Sequence, residues 1–436
     1  MEENSPLMQK EKGSFWNNYF DLLKDSEFRL TMILVFFSTL VLNFGGTLLS
    51  LFYIEVWNVD DKLAGIFLAL AGAHILFFLV PGLLIEKYGI KVTYLIGFLV
   101  TIVGFSLIVF IKNLAFHVTV ISLSFGLSAS LLFGSLKSAT NETTTPENRS
   151  LGFSIFNCML NFSTIFLGLT SELVFSLKGI NFTSYNILFL TMVGIYLMNF
   201  ILTLLFSKLK KKEAAKKQEI KLSYLLNQKR YWKTFIVIFI SSIPLGCIFI
   251  PGIILPIYMD RELGSTQGYG FYFASYSLML GTFSILFDFV SKMFGLYDCV
   301  AIGGLIMSAG PLVFGVSSGY YAVGVYITIT AIGGSILEPR LMDYNGFAAV
   351  KGNEGFYFGI GSFGYAFTSI FSGFISGFLL DEFCPEDKNR ECWKMWYIVS
   401  AFCAGGSLSL LIFRRWIEVI RDHQETDPFV LSSHLG

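Results

Sequence analysis

Residues 63–111 read LAGIFLALAGAHILFFLVPGLLIEKYGIKVTYLIGFLVTIVGFSLIVFI. Two apolar runs, 63–85 and 90–111, are parted only by Glu86-Lys87-Tyr88-Gly89. A hydrocarbon core about 30 Å thick needs about 20 helical residues to cross it. The stretch therefore predicts two membrane-spanning helices joined by a short polar turn. Working outward, the same rhythm fills the chain. Apolar runs fall at 30–54, 63–85, 90–111, 115–140, 150–176, 186–206, 233–258, 270–290, 296–316, 321–345, 354–380 and 395–415. These predict about 12 spans, numbered here in chain order, six before and six after a lysine-rich break at 207–232.

Composition agrees with a membrane-embedded chain. Apolar residues make up 54%, charged residues 14%, and mean hydropathy is +0.64, whereas soluble domains carry ~25% charged residues. Net charge is zero, so the placement of charge informs and its total does not. Basic residues bias toward cytoplasmic loops. With the N-terminus cytoplasmic, the inner segments hold Lys87, Lys91, Lys137, Arg149, Lys292, Lys351, Arg414, Arg415 and Arg421, four more before span 1, and ten from Lys208 to Lys233. The outer segments hold Lys62, Lys112, Lys178, Arg261, Lys388, Arg390 and Lys394. This bias of about three to one predicts that both termini are cytoplasmic, in a plasma or endomembrane protein.

The domain reading follows: an N-terminal segment at 1–28, a first bundle at 29–206, a basic linker at 207–232, a second bundle at 233–416 and a tail at 417–436. The linker, KLKKKEAAKKQEIKLSYLLNQKR, reads as a solvated positive-inside connection and not as a nucleic-acid surface. The six cysteines show no metal-ligand spacing, and there is no nucleophile–base constellation or nucleotide loop. The expectation is a monomer without metal or cofactor, and not an enzyme.

The turn after span 2 carries the main motif. Gly82-Leu-Leu-Ile-Glu86-Lys87-Tyr-Gly89-Ile-Lys91 resembles the G-x-x-x-[DE]-[RK]-x-G-x-[RK] signature of the major facilitator superfamily, at the place where that family carries it. The residues suit the role. Gly82 lets another helix approach, Gly89 permits a tight reversal, and Lys87 and Lys91 favour the cytoplasm. Glu86 suits the positive end of a helix, which in that family is span 11. The resemblance implies an all-α fold: two pseudo-symmetric six-helix bundles around a central cavity. The turn after span 8, Asp288-Phe-Val-Ser-Lys292-Met-Phe-Gly295, keeps the glycine and replaces Gly82 by Asp288 and Glu86 by Lys292. Spans 4 and 10 share a Gly-Ser pair, Gly134-Ser135 and Gly334-Ser335, followed by a cation, Lys137 or Arg340, at similar depth.

Charges inside a span are costly and face a cavity or a partner. Glu338, Arg340 and Asp343 in span 10 are therefore the strongest functional pointer. At ~100° per residue, Arg340 shares a face with Asp343 and Tyr344, while Glu338 faces elsewhere. One charge is expected to line the cavity and the other to brace a neighbouring helix; an ion-pair network at the cytoplasmic gate is the structural alternative. Pro339 is expected to loosen the helix. Lys137, His74 and Asn43 complete the candidate substrate or proton contacts. Cys384 and Cys392, in one outer loop, suit a disulfide.

The region from Glu338 to Gly361 resembles the proton-dependent oligopeptide transporter branch of the superfamily. Span 1, LTMILVFFSTLVLNFGGTLLSLFYIEVW, lacks the E-x-x-E-R cluster of that branch, so the resemblance does not extend to a peptide substrate. What the resemblance implies is a transporter moving a small organic solute by alternating access, coupled to protons through Glu338. An uncoupled facilitator and a non-transporting receptor or structural subunit with the same fold remain the alternatives.

Overall fold

The computed structural model describes residues 14–71, 77, 79–145, 148–206, 227–264, 269–289, 293–349, 354–385 and 391–418. Helix α1 (Ser14–Lys24) leads into α2 (Ser26–Thr47). Span 1 then continues through Leu49–Leu51 and a π-helical turn, Phe52–Val56. Helices α3 (Asp61–Ala71) and α4 (Val80–Tyr88) are the described pieces of span 2. Spans 3 and 4 are α5 (Ile90–Phe110) and α6 (Leu114–Glu142). Spans 5 and 6 are α7 (Arg149–Lys178) and α8 (Phe182–Phe206). The second half follows as α9 (Lys229–Leu263), α10 (Tyr269–Leu286), α11 (Leu296–Ser308), α12 (Tyr320–Ala348), α13 (Glu354–Phe383) and α14 (Cys392–Ile417).

Among the described residues nine helices are long and apolar enough to cross a membrane. Segments α2, α3–α4 and α10 occupy the other expected spans, and no strand is present among these residues. The fold is thus the all-α membrane architecture the sequence predicts. Helix α12 runs unbroken through Pro339, contrary to the expected loosening. The basic linker at 207–226 and the tail from 419 onward lie outside the described residues, as do His74, Lys292 and Lys351.

Each half has its own core. Leu34, Phe98, Leu132, Phe156 and Phe189 belong to the first, and Leu245, Met307, Leu337, Tyr357 and Trp396 to the second. Some buried tyrosines donate their hydroxyls to the backbone of neighbouring helices, a wet tip finding an acceptor in a dry interior. Tyr196 donates to the Ser38 carbonyl at 2.9 Å, and Tyr326 to the Cys247 carbonyl at 2.9 Å.

The halves repeat one another in register. Gly89 (φ 86°) and Gly295 (φ 79°) make matching left-handed turns. Eight residues beyond each, a Cβ on Gly97 would stand 3.3 Å from Leu131 Cβ, and one on Gly303 3.0 Å from Leu337 Cβ. Gly104 then meets Ser124, and Gly310 meets Thr330. Every one of these pairs is offset by 206 residues. This register sets Lys137 against Asp343 and Gly134 against Arg340, which corrects the sequence-based pairing of Lys137 with Arg340. The Gly-Ser pairs misled because they recur by chance a few residues out of step.

Helices α3 and α4 pack on α13, and α7 packs on α10 and α12. Small residues set these approaches, since lipid supplies no hydrophobic drive between helices. A Cβ on Gly65 would stand 2.5 Å from the Gly373 carbonyl oxygen, and one on Gly270 2.8 Å from that of Gly168.

Candidate functional site

Charged side chains fall into three arrangements along the seam between the halves, two of them built on α12. The first lies toward the face that carries Lys87, Lys91, Arg149 and Arg230, called here the basic face. Arg340 is 1% exposed. Its guanidinium donates to Asp288 Oδ1 at 2.9 Å and also reaches the Ser150 and Ser154 hydroxyls of α7. Both serines in turn donate to Asp288, at 3.0 and 3.2 Å. One turn further along α12, Asp343 accepts from Arg149 Nε at 2.7 Å, an ion pair between the halves with side chains 5% and 15% exposed. Arg230 donates to the Phe347 and Ala348 carbonyls at 3.0 and 2.9 Å, capping the C-terminus of α12 where a cation suits the helix dipole.

The sequence reading put Arg340 and Asp343 on one face of α12 without fixing their partners. Each takes a partner from another helix. Tyr344 is buried beside Tyr297 at 6.2 Å between ring centroids and packs in the second core rather than in the seam. Asp288 was read only as a departure from the Gly82 pattern. Its signal was a carboxylate ending an apolar run, the same cue that singled out Glu338.

The second arrangement is central. Glu338 is 8% exposed and lies within electrostatic reach of Asn157 of α7 and Lys137 of α6. Lys137, 1% exposed, stands over the Tyr365 ring at 4.7 Å and the Phe133 ring at 5.6 Å from the centroids, a cation–π setting for a buried ammonium. Asn157 also donates to Ser284 Oγ at 2.9 Å. The buried hydroxyls of Tyr276 and Tyr365 accompany this group. Residues from α6, α7, α10, α12 and α13 thus bring one anion, one cation, an amide and two phenols to the seam. Glu338 and Lys137, each singled out by the sequence, lie within electrostatic reach of one another; Asn157, Tyr276 and Tyr365 were missed, because single polar residues on apolar helices carry no periodic signal. Asn43 lies in α2, with its side chain outside the described residues.

The motif turn sits on the basic face. A Cβ on Gly82 would stand 3.1 Å from the Gly355 carbonyl carbon, so α4 meets the first turn of α13. The turn at Gly89 needs its positive φ. Lys91 donates to the Leu204 carbonyl at 3.0 Å, near the end of α8, and Lys87 lies over Tyr88. Glu86 Oε1 is buried.

The third arrangement closes the opposite face. Arg261 at the end of α9 pairs with Asp61 at the start of α3 at 2.8 Å, with side chains 7% and 13% exposed. It also donates to the Cys384 carbonyl at 2.6 Å. Cys384 and Cys392 are joined by a disulfide. Beside them Lys62 pairs with Asp381 at 2.7 Å on the surface. In this structure ion pairs between the halves therefore close both faces around the Lys137–Glu338 centre.

Comparison with known proteins gives a family. The Major Facilitator Superfamily model matches residues 31–250. Two solved structures share the fold. A POT family transporter in complex with a thioalcohol-conjugated peptide is 13% identical, with a TM-score of 0.70 over 90% of this chain and 96% of that one. A POT family transporter in complex with 5-aminolevulinic acid is 14% identical, with a TM-score of 0.69 over the same shares. Among curated proteins none matches the chain.

Proposed function

The chain belongs to the major facilitator superfamily, and on that premise we propose that it is a secondary active transporter which moves a small organic solute by alternating access, driven by protons. The carrying observation is the buried Lys137–Glu338 centre between two ion-pair gates, Arg149–Asp343 on the basic face and Asp61–Arg261 on the other. Buried charges are retained in membrane interiors where they serve a pathway or a relay. A solute bearing a carboxylate would match Lys137 once Glu338 is protonated. That chemistry is shared with 5-aminolevulinic acid in the similar structure. Glu338 is the proposed proton carrier and Arg149–Asp343 part of the inner lock. Both termini are placed in the cytoplasm by the basic residues, with the disulfide facing an oxidising side.

Purified protein in proteoliposomes tests this reading. A pH gradient that is acid on the side from which the solute enters should drive uptake of carboxylate-bearing solutes above the equilibrium level. Equilibration without accumulation would make the chain an uncoupled facilitator. Binding without flux would make it a receptor. Labelling of Ala215→Cys by an impermeant reagent should occur only from the side of the termini; reaction from the other side would overturn the orientation.

A further inference from the structure

We propose that the Cys384–Cys392 disulfide holds the gate on its own face shut, so that an external dithiol reductant releases it. The argument starts at Arg261. One guanidinium nitrogen crosses the seam to Asp61 at 2.8 Å, and another is fixed by the Cys384 carbonyl at 2.6 Å. The carbonyl aims the guanidinium at its carboxylate, and Cys384 is itself held in two ways. Its N–H donates to Leu380 at the end of α13 at 2.9 Å, and its sulfur is bonded to Cys392 at the start of α14. Helix ends fray when nothing ties them. The bridge ties this one, and with it the acceptor that positions Arg261.

The bridge is also shielded by the gate it supports. Cys384 is fully buried and Cys392 is 4% exposed, while Glu262, next to Arg261, has Oε1 3.3 Å from Cys392 Sγ. A reductant therefore reaches the sulfurs when Arg261 has swung away. The chemistry is ordinary exchange. A thiolate of the dithiol attacks one sulfur, forming a mixed disulfide and releasing the other cysteine as a thiolate. The second thiolate of the reductant displaces the first cysteine, so the reductant leaves as a cyclic disulfide and two electrons pass to the protein. Both cysteines then take up protons. The remaining four cysteines, at 158, 247, 299 and 403, are buried free thiols, so this bridge is the disulfide available to reduction. The consequence for transport rests on the alternating-access reading; the gate itself does not, and the test reads the gate alone.

The test is hydrogen exchange by mass spectrometry on the full-length protein in lipid nanodiscs, oxidised and after treatment with dithiothreitol, with reduction checked by intact mass. Loss of a positioned charge-assisted hydrogen bond shifts an opening equilibrium by about tenfold. Exchange at 58–66 and 255–263 should therefore rise about tenfold on reduction, while exchange at 80–90 and 340–349 stays unchanged. Cys384→Ser with Cys392→Ser should match the reduced protein and ignore the dithiol. Arg261→Gln should match it even when oxidised. Unchanged exchange at 58–66 and 255–263 after complete reduction overturns the proposal. A rise on both faces together overturns it as well, since that is general loosening.

Discussion

A guanidinium that is 1% exposed must be neutralised where it stands, and Arg340 meets that need within its own half through Asp288. Arg149 and Asp343 meet it across the seam. The two pairs differ in what happens when the basic face opens. On the proposed alternating-access reading Arg340 keeps Asp288, which lies in its own half, whereas Arg149 and Asp343 lie in different halves and must separate. Asp288→Asn should therefore damage folding, by roughly 3–5 kcal/mol, because it removes the carboxylate paired with a buried guanidinium; thermal unfolding in detergent measures this. Asp343→Asn or Arg149→Gln should instead loosen the basic face and leave the fold standing. Arg149→Asp combined with Asp343→Arg should recover closure, read by hydrogen exchange at 340–349. No recovery in the double variant would mean that the pair is not what closes this face. The sequence exposed the charges but not their partners. Arg340 and Asp343 are three apart on one helix, which suggests a pair, yet their partners lie 52 and 194 residues away. No local spacing encodes contacts of that range.

Elements were more legible than contacts. Span lengths follow from the bilayer thickness, and the break at Glu86–Gly89 appears as a turn with φ 86° at its glycine. The π-helical turns at Phe52–Val56 and Ile121–Phe125 were not legible, because an extra residue in a turn leaves no mark in a wholly apolar run. The glycine repeat at 89, 97 and 104 against 295, 303 and 310 was readable in principle. It is obscured by glycines elsewhere that pack without repeating. The glycines on span 2 lead to an opposed pair of expectations. Gly82 meets Gly355 near the basic face, and Gly65 meets Gly373 nearer the other. Neither site has room for a side chain, since a Cβ would meet backbone at 3.1 and 2.5 Å. Gly82→Leu should hold α4 away from α13 and favour opening on the basic face. Gly65→Leu should favour opening on the disulfide face. Both should slow flux while leaving the protein in the membrane. Accessibility to impermeant reagents from each side separates them, and the same bias from both would reduce these contacts to ordinary packing.

At the scale of the molecule, closure at both faces leaves the central charges with only each other and their polar neighbours. Glu338 and Lys137 offset one another across the seam, and the phenols of Tyr276 and Tyr365 stand by with buried hydroxyls. Any opening changes that balance, because water enters on one side and one partner moves with its half. A proton on Glu338 would remove the charge that Lys137 balances and free the ammonium for an anionic group of the solute. Protonation and solute carboxylate binding would then favour one another, which is the linkage that coupling requires. Glu338→Gln keeps the shape but fixes the site in its neutral form. The variant should still exchange solute across the membrane and should lose accumulation driven by a pH gradient. Lys137→Gln should lose binding of carboxylate-bearing solutes, at a cost of roughly tenfold or more in affinity. Counterflow and gradient-driven uptake, measured side by side in proteoliposomes, distinguish the two. If Glu338→Gln still concentrates solute against its gradient, the proton is carried elsewhere, and His74→Gln becomes the next variant to measure in the same pair of assays. Retained accumulation there too would leave the gates and the fold intact but make proton coupling through this chain's central residues untenable.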